Sequence, residues 1–183
     1  MIKEYKLIEN PIYGISILLD DTNVDYYTDV SVILNYNGEQ IELFKDNLLA
    51  LNNIMEQKEV NVLEDGLDEK RLGLLINEYY RGIFENKIQE DILLDDYGNW
   101  IGEKYYFFMS LKYVTWIYKY GRGIVVKVTP IFNGFEKNSY FKQYSKFILE
   151  YRDVFREKIS SKQLEYIKNI ILNICATLLP KTI

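Results

Sequence analysis

Two short turn signals, each between runs of β-forming residues, constrain the fold of this chain more than any other feature of its sequence. Asn37–Gly38 separates residues 29–36 from residues 39–44. An Asn-Gly pair between such runs is a strong signal for a two-residue hairpin. The glycine-containing turn at 121–123 separates two further runs of the same kind. Antiparallel sheet is therefore expected in both halves of the chain.

Alternation along the second hairpin predicts which side chains are buried, because successive residues of a strand point to opposite faces. The apolar faces comprise Val114, Trp116, Tyr118 and Tyr120 on the first strand, and Ile124, Val126 and Val128 on the second. The opposite faces carry Thr115, Lys119, Lys127 and Thr129. The pattern predicts a half-buried sheet with this polar set on its less buried face.

Helical spacing accounts for many of the remaining apolar residues. Helices are predicted after a cap at Asp46, over 67–85, over 141–155 and over 164–178. Ser160 and Gln163 form a capping box for the last helix, and Pro180 ends it. The short link at 158–160 makes the last two helices an antiparallel pair. The predicted fold class is therefore α+β, with antiparallel sheets and a C-terminal helix pair.

Residues 1–183 are predicted to form a single domain, because three Pro and ten Gly leave little material for a flexible linker. The similarity of ILLDDTN at 17–23 to ILLDDYGN at 92–99 indicates a pseudo-repeat of residues 1–88 and 89–183. Each half would be a unit of four strands followed by a helix. Chance similarity between amphipathic strands is the alternative to duplication.

The chain contains no His, and its one Cys is Cys175. It therefore lacks Ser–His and Cys–His catalytic pairs, His-ligated metal sites, internal disulfides and four-cysteine zinc sites. A GxxxxGK[ST] phosphate loop, a GxGxxG motif and a GxSxG elbow are also absent from the sequence. We predict that the protein is not an enzyme, that it binds no cofactor or metal, and that Cys175 is a core thiol.

Nothing in the sequence predicts export or membrane insertion. The apolar run at 12–19 has only eight residues, far fewer than a bilayer-spanning helix needs. The first residues lack the basic start and the small-residue cleavage site of a secretory signal. The expected compartment is the cytoplasm, where thiols stay reduced.

Charge is distributed unevenly along the chain. Residues 1–100 contain 8 basic and 21 acidic side chains, a net charge of −13, whereas residues 101–183 contain 14 basic and 6 acidic, a net charge of +8. Either the two halves attract each other within one fold, or the acidic part recruits a basic protein partner. At an overall net charge of −5, nucleic acid is an unfavourable partner, although the basic second half keeps it as an alternative.

Acidic residues adjoin aromatic residues in several predicted loops. Such loops suit a protein interface, since Tyr and Trp supply anchors and carboxylates pair with a basic partner. The predicted partner-binding residues are Asp20, Asp21, Asp25, Tyr26, Tyr27, Glu64, Asp65, Asp68, Asp95, Asp96, Tyr97 and Trp100. Ordinary solvated loops are the alternative, and homo-oligomerisation stays open.

Three other uses of such residues are alternatives to a protein interface. A hydrolase would need Asp21 and either Asp95 or Asp96 about 5–10 Å apart across a cleft. The Asp-x-Asn-x-Asp run that starts at Asp21 lacks the Gly and the Glu of a calcium-binding EF-hand loop. Single-stranded nucleic acid could stack on the basic, aromatic strands at 104–127, which is the alternative function.

The small acidic chain has a sheet-plus-helix pattern, no catalytic motif, and the loops DDTNVDYY at 20–27 and DDYGNW at 95–100. With these features it resembles an immunity protein of a bacterial polymorphic-toxin system, such as contact-dependent growth inhibition. The resemblance implies a protein that binds a secreted toxin domain, often a basic nuclease, and blocks its active site. The repeated order of four strands and a helix is also similar to the Whirly fold. The Lys-Gly-Lys-Ala-Ala-Leu motif of plant Whirly proteins is absent, so their DNA binding is not carried over.

Overall fold

The computed structural model describes residues 1–20, 22–65, 67–84, 100–132 and 143–178. Within them lie two four-stranded antiparallel sheets, four α-helices and one 3-10 helix, so the α+β prediction is confirmed. The chain divides into two compact units. The first comprises Met1–Glu59, Phe108–Ser110 and Ile159–Ile183, and the second comprises Val60–Phe107 and Leu111–Lys158. The single domain and the pseudo-repeat stay predictions.

The sheet of the first unit is a meander in which neighbours in sequence are neighbours in space. Its strands are β1 (Ile2–Glu9), β2 (Tyr13–Asp20), β3 (Asp29–Tyr36) and β4 (Glu39–Asn47). Asn37 and Gly38 have positive φ angles of 51° and 79°, as a two-residue turn of this type requires. The Asn10 side chain accepts hydrogen bonds from the amides of Ile12 and Tyr13 and so closes the β1–β2 turn. The predicted first hairpin is confirmed.

Helices α1 (Leu48–Gln57) and α4 (Ser161–Leu178) contact each other and the strands of this sheet. Their buried apolar side chains include Leu48, Leu51, Met55, Leu164 and Ile171. The cap of α1 is Asn47, whose side chain accepts a hydrogen bond from the Ala50 amide at 2.9 Å. The prediction of a cap at Asp46 is wrong, because β4 extends through Asn47 and the chain turns helical one residue later.

The start of α4 follows the predicted capping box. The Ser160 hydroxyl accepts a hydrogen bond from the Gln163 amide, and the Gln163 side chain accepts one from the Ser160 amide. Cys175 is fully buried in this helix, which confirms a core thiol, and burial raises its pKa to about 11. The predicted stop at Pro180 lies outside the described residues.

The second unit carries most of the second sheet, which has the order β5–β6–β7–β8; the last two residues of β5 and the last of β8 belong to the first unit. Its elements are α2 (Glu69–Phe84), a 3-10 helix (Ile101–Lys104), β5 (Tyr106–Met109), β6 (Tyr113–Tyr120), β7 (Gly123–Pro130), α3 (Tyr144–Glu150) and β8 (Phe155–Ile159). The predicted helix over 67–85 is confirmed as α2. The predicted strand at 92–96 lies outside the described residues.

The helix predicted over 141–155 is wrong in its second half. Helix α3 ends at Glu150, and the following segment continues into β8. The Val154 amide donates a hydrogen bond to the Val128 carbonyl at 2.9 Å, so this segment joins the sheet beside β7. A strand therefore separates α3 from α4, and the predicted pair linked at 158–160 is not formed. The order of elements after β7 also differs from four strands followed by a helix, and the Whirly-like arrangement is not confirmed.

The faces of the second hairpin also differ from the prediction. In the register of β6 and β7, Trp116 lies opposite Lys127 and Val114 lies opposite Thr129, so these four side chains share one face. The alternation predicts a less buried face for Lys127 and Thr129. In fact Lys127 is 1% exposed and Thr129 is fully buried, because α2 covers them.

Candidate functional site

The first predicted loop begins at Asp20, the last residue of β2. Its exposed carboxylate accepts hydrogen bonds from the amino group of Met1 at 2.6 Å and from the Thr22 amide at 3.1 Å. These bonds, the one from Met1 first, lower the pKa of Asp20 to about 2. Asp21 lies outside the described residues. The charge of Asp20 is thus partly compensated within the chain.

The following turn is tied by hydrogen bonds of its own. A carboxylate oxygen of Asp25 accepts hydrogen bonds from the Tyr27 amide at 2.9 Å and from the Thr28 hydroxyl at 3.1 Å. The Thr28 hydroxyl in turn accepts one from the Asp25 amide at 2.8 Å. This Asx-type turn fixes the backbone on both sides of Tyr27.

The same turn is fastened to helix α1. The carbonyls of Tyr26 and Thr28 accept hydrogen bonds from the amides of Leu49 and Leu48, at 3.2 and 2.9 Å. These amides belong to the first turn of α1, which has no intrahelical acceptors for them. The Tyr27 side chain stays 77% exposed although its neighbours are held. We call residues 22–28 the Tyr27 loop.

The second acidic group, in the second unit, has structural uses. Glu64 pairs with Lys104 at 3.0 Å, and Asp68 accepts a hydrogen bond from the Arg71 amide at 2.6 Å at the start of α2. Asp65 is exposed and has no hydrogen bond or ion pair among the described residues. Two of these three predicted residues therefore have partners within the chain.

The third predicted loop is described only at its end. Asp95, Asp96 and Tyr97 lie outside the described residues, so the separation of carboxylates that a hydrolase needs stays a prediction. Trp100 is 9% exposed, and its ring lies 6.1 Å from Trp116 and 6.3 Å from Tyr106. Packed in this way, Trp100 offers a partner almost no surface.

The basic, aromatic strands at 104–127 offer little to a nucleic acid. Stacking on bases requires exposed rings. Several of their rings are at most 1% exposed, namely Tyr105, Phe107, Trp116 and Tyr118. These side chains form the core of the second unit, and their burial argues against a stacking surface.

A buried charged cluster around Lys127 was not predicted from the sequence. The Lys127 ammonium donates to the Glu69 carbonyl at 2.5 Å and pairs with Asp153 at 3.1 Å. The Glu69 carboxylate accepts two hydrogen bonds from Arg156, at 2.8 and 2.9 Å. The hydrogen bonds from Arg156 are the main reason that the pKa of Glu69 is lowered. We call these four residues the Lys127 cluster.

Two tyrosine hydroxyls are buried beside this cluster. Neither Tyr118 nor Tyr151 makes a hydrogen bond of ordinary geometry with its hydroxyl in the described part of the chain. Burial, the main cause in both cases, raises the pKa of each phenol, and the nearby Glu69 carboxylate adds to the increase for Tyr118. Both phenols are therefore neutral at physiological pH.

A cavity of about 330 Å³ opens onto the cluster. Its lining residues are Glu69, Lys70, Lys127, Tyr151, Arg152 and Asp153. One sequence signal could have indicated this site. The run IVVKVT is apolar on both sides of Lys127, as in a strand that is buried on both faces, and a buried lysine requires partners.

Among the described residues, no group of three or more His, Cys, Asp or Glu side chains could hold a metal ion. None of the described helices is long and apolar enough to span a membrane. No protein-family model matches the chain, and comparisons with curated proteins and with solved structures return no match.

Proposed function

We propose that this chain is an immunity protein that binds and neutralises a cognate secreted bacterial toxin domain. The proposed contact surface is the Tyr27 loop together with Asp29, the first residue of β3. The proposed partner is a basic toxin domain, and the first class of toxin to test is a nuclease. The observation that carries the proposal is an exposed tyrosine on a backbone that is already fixed.

An aromatic anchor contributes most to affinity when it loses little freedom on binding. The backbone on both sides of Tyr27 is held by Asp25 and Thr28, and the loop carbonyls are held by α1. A 77% exposed Tyr side chain can be almost wholly desolvated by a partner. Tyr is enriched among the residues that dominate binding energy in protein interfaces.

Carboxylates flank this anchor and suit a basic partner. Asp25 and Asp29 are exposed, and Asp29 has no hydrogen bond or ion pair from its side chain among the described residues. Exposed charges at the rim of an interface mainly accelerate association and select the orientation of the partner. The acidic loop would take the place of the phosphate substrate in the active site of a nuclease.

The test is titration of the wild-type chain and of a Tyr27→Ala variant with the cognate toxin domain, which is sought first among the products of the neighbouring genes. We expect the variant to raise the Kd at least about 10-fold, equal to about 1.4 kcal/mol. The matched control is Tyr166→Ala, which removes another exposed tyrosine from the same unit and should leave the Kd unchanged.

Two charge-reversal variants complete the experiment. Asp29→Lys should slow association and weaken its dependence on salt, whereas Glu165→Lys, at an exposed position of α4, should not. Equal loss of affinity in both tyrosine variants would remove the Tyr27 loop from the interface. Absence of any complex, with toxin activity unchanged by excess protein, would overturn the immunity function itself.

A further inference from the structure

We propose that the cavity over the Lys127 cluster binds the phosphate group of a small phosphate monoester. This site is independent of the Tyr27 loop and of the proposed toxin binding. It lies in the second unit, between the first turn of α2 and residues 151–153. The charge of the lining, an unused donor and the position of the helix support this assignment.

The residues that line the cavity, taken with Arg156, carry a net charge of about +2, and the Asp68 carboxylate at the start of α2 reduces this to about +1. Glu69 is neutralised by Arg156, and Asp153 is neutralised by Lys127. Lys70 and Arg152 remain, both exposed at the cavity and without an ion-pair partner among the described residues. A phosphate monoester carries a charge of about −1.5 to −2 at neutral pH, so this positive excess attracts it more strongly than it attracts a monoanionic carboxylate.

Lys127 offers a further donor at the base of the cavity. An ammonium group has three N–H donors. Two are used, one by the Glu69 carbonyl and one by Asp153, and no third acceptor lies among the described residues. A buried donor without an acceptor is costly, and an oxygen of a bound phosphate would satisfy it. Tyr151 lines the same cavity, but its hydroxyl lies against Gly73 and Thr129, so Lys127 is the buried donor that the phosphate would meet.

Helix α2 adds to the positive potential. Glu69 and Lys70 are its first two residues, so the positive end of the helix dipole lies at the cavity. The volume of about 330 Å³ is at the lower end of small-molecule sites and exceeds what a phosphate group needs. Part of a small organic group could therefore enter with the phosphate.

The experiment is calorimetric titration of the full chain with inorganic phosphate and with glycerol phosphate, at constant ionic strength and neutral pH. Acetate serves as the monoanionic comparison. We expect saturable binding of both phosphates and at least 10-fold weaker binding of acetate. Amide NMR shifts on titration should concentrate at residues 69–71 and 151–153.

The matched variants separate this site from general charge attraction. Lys70→Gln with Arg152→Gln removes two exposed cations at the cavity, and we expect it to raise the Kd at least 10-fold. Lys146→Gln with Arg122→Gln removes two exposed cations elsewhere in the same unit and should leave the Kd unchanged. Absence of saturable binding, or equal loss in both double variants, would overturn the proposal.

Discussion

Replacement of Gly73 by alanine tests the packing of α2 over the second sheet. Gly73 is buried in the first half of this helix. A Cβ atom at this position would lie 2.0 Å from the Tyr151 hydroxyl oxygen and 3.0 Å from the Thr129 methyl carbon. The first distance is far inside van der Waals contact, so the Tyr151 ring or the helix would have to move.

Two opposing effects determine how much Gly73→Ala changes the free energy of unfolding. Alanine is favoured over glycine inside a helix by about 1 kcal/mol, which would stabilise the variant in open space. Overpacking a closed core costs about 1–3 kcal/mol, and the 2.0 Å approach places this case at the upper end. We therefore expect Gly73→Ala to lower the free energy of unfolding by about 1–2 kcal/mol.

Tyr151→Phe should remove most of this penalty. Without the hydroxyl, the nearest ring atom is the Cζ carbon at 3.3 Å, which is tight but tolerable. The substitution also removes a buried hydroxyl that makes no hydrogen bond of ordinary geometry in the described part of the chain, so alone it should be nearly neutral. The double variant should then be at least as stable as Tyr151→Phe alone, with a coupling energy of at least about 1 kcal/mol.

Urea unfolding followed by tryptophan fluorescence suits this double-mutant cycle. Both tryptophans, Trp100 and Trp116, belong to the second unit, so the signal reports the part of the chain that carries the substitutions. A melting temperature should fall by about 2–4 °C per kcal/mol. A stabilising effect of Gly73→Ala alone, or a coupling energy of zero, would refute the close approach of α2 to Tyr151.

Two further predictions follow from the pKa shifts. Hydrogen bonds from Arg156 are the main reason that the pKa of Glu69 in the folded state lies below its ordinary 4.5. The ion pair therefore stabilises the fold above about pH 4.5, and this stabilisation is lost as the pH falls through the lower pKa of the folded state. Arg156→Met should flatten the pH dependence of unfolding in urea below pH 5, and an unchanged profile would contradict this. The Cys175 thiol is buried and its pKa is raised to about 11. At pH 8, we expect it to react with a chromogenic disulfide at least 10-fold more slowly in the folded protein than in the protein unfolded in urea. Equal rates would mean that the thiol of the folded protein is accessible.

Local sequence signals were sufficient where the structure depends on local interactions. The turn at Asn37–Gly38 requires positive φ at two residues, and few pairs other than Asn-Gly adopt it readily. The capping box at Ser160 and Gln163 is satisfied within four residues. Neither feature depends on distant parts of the chain, so both could be predicted.

The wrong predictions concern segments whose secondary structure or burial is determined by contacts with residues distant in sequence. The apolar residues of 141–155 have helical spacing, but Phe155 and Ile159 also fit the alternation of a strand. The hydrogen bond from Val154 to Val128 selects the strand, and no local pattern reveals that partner. The burial of Lys127 was missed for a related reason: the apolar run around it indicates a strand buried on both faces, but no local pattern identifies α2 as the cover of the second face.

The candidate surface was predicted only in part. Tyr27 was identified from an aromatic residue among acids, but its rigid setting depends on carbonyls that meet α1, which composition does not reveal. Trp100 satisfied the same compositional rule and is packed against Trp116. Composition therefore indicates which residues could anchor a partner, whereas burial decides which of them are available.

The discontinuous first unit has a consequence for how the protein is made. Its sheet and α1 leave the ribosome early, but α4, which packs against α1 and β1, is synthesised more than 100 residues later. Until then the surface of α1 that α4 contacts lacks its final cover. Closing so long a loop slows folding, and the nascent chain is exposed to chaperones and proteases during that interval.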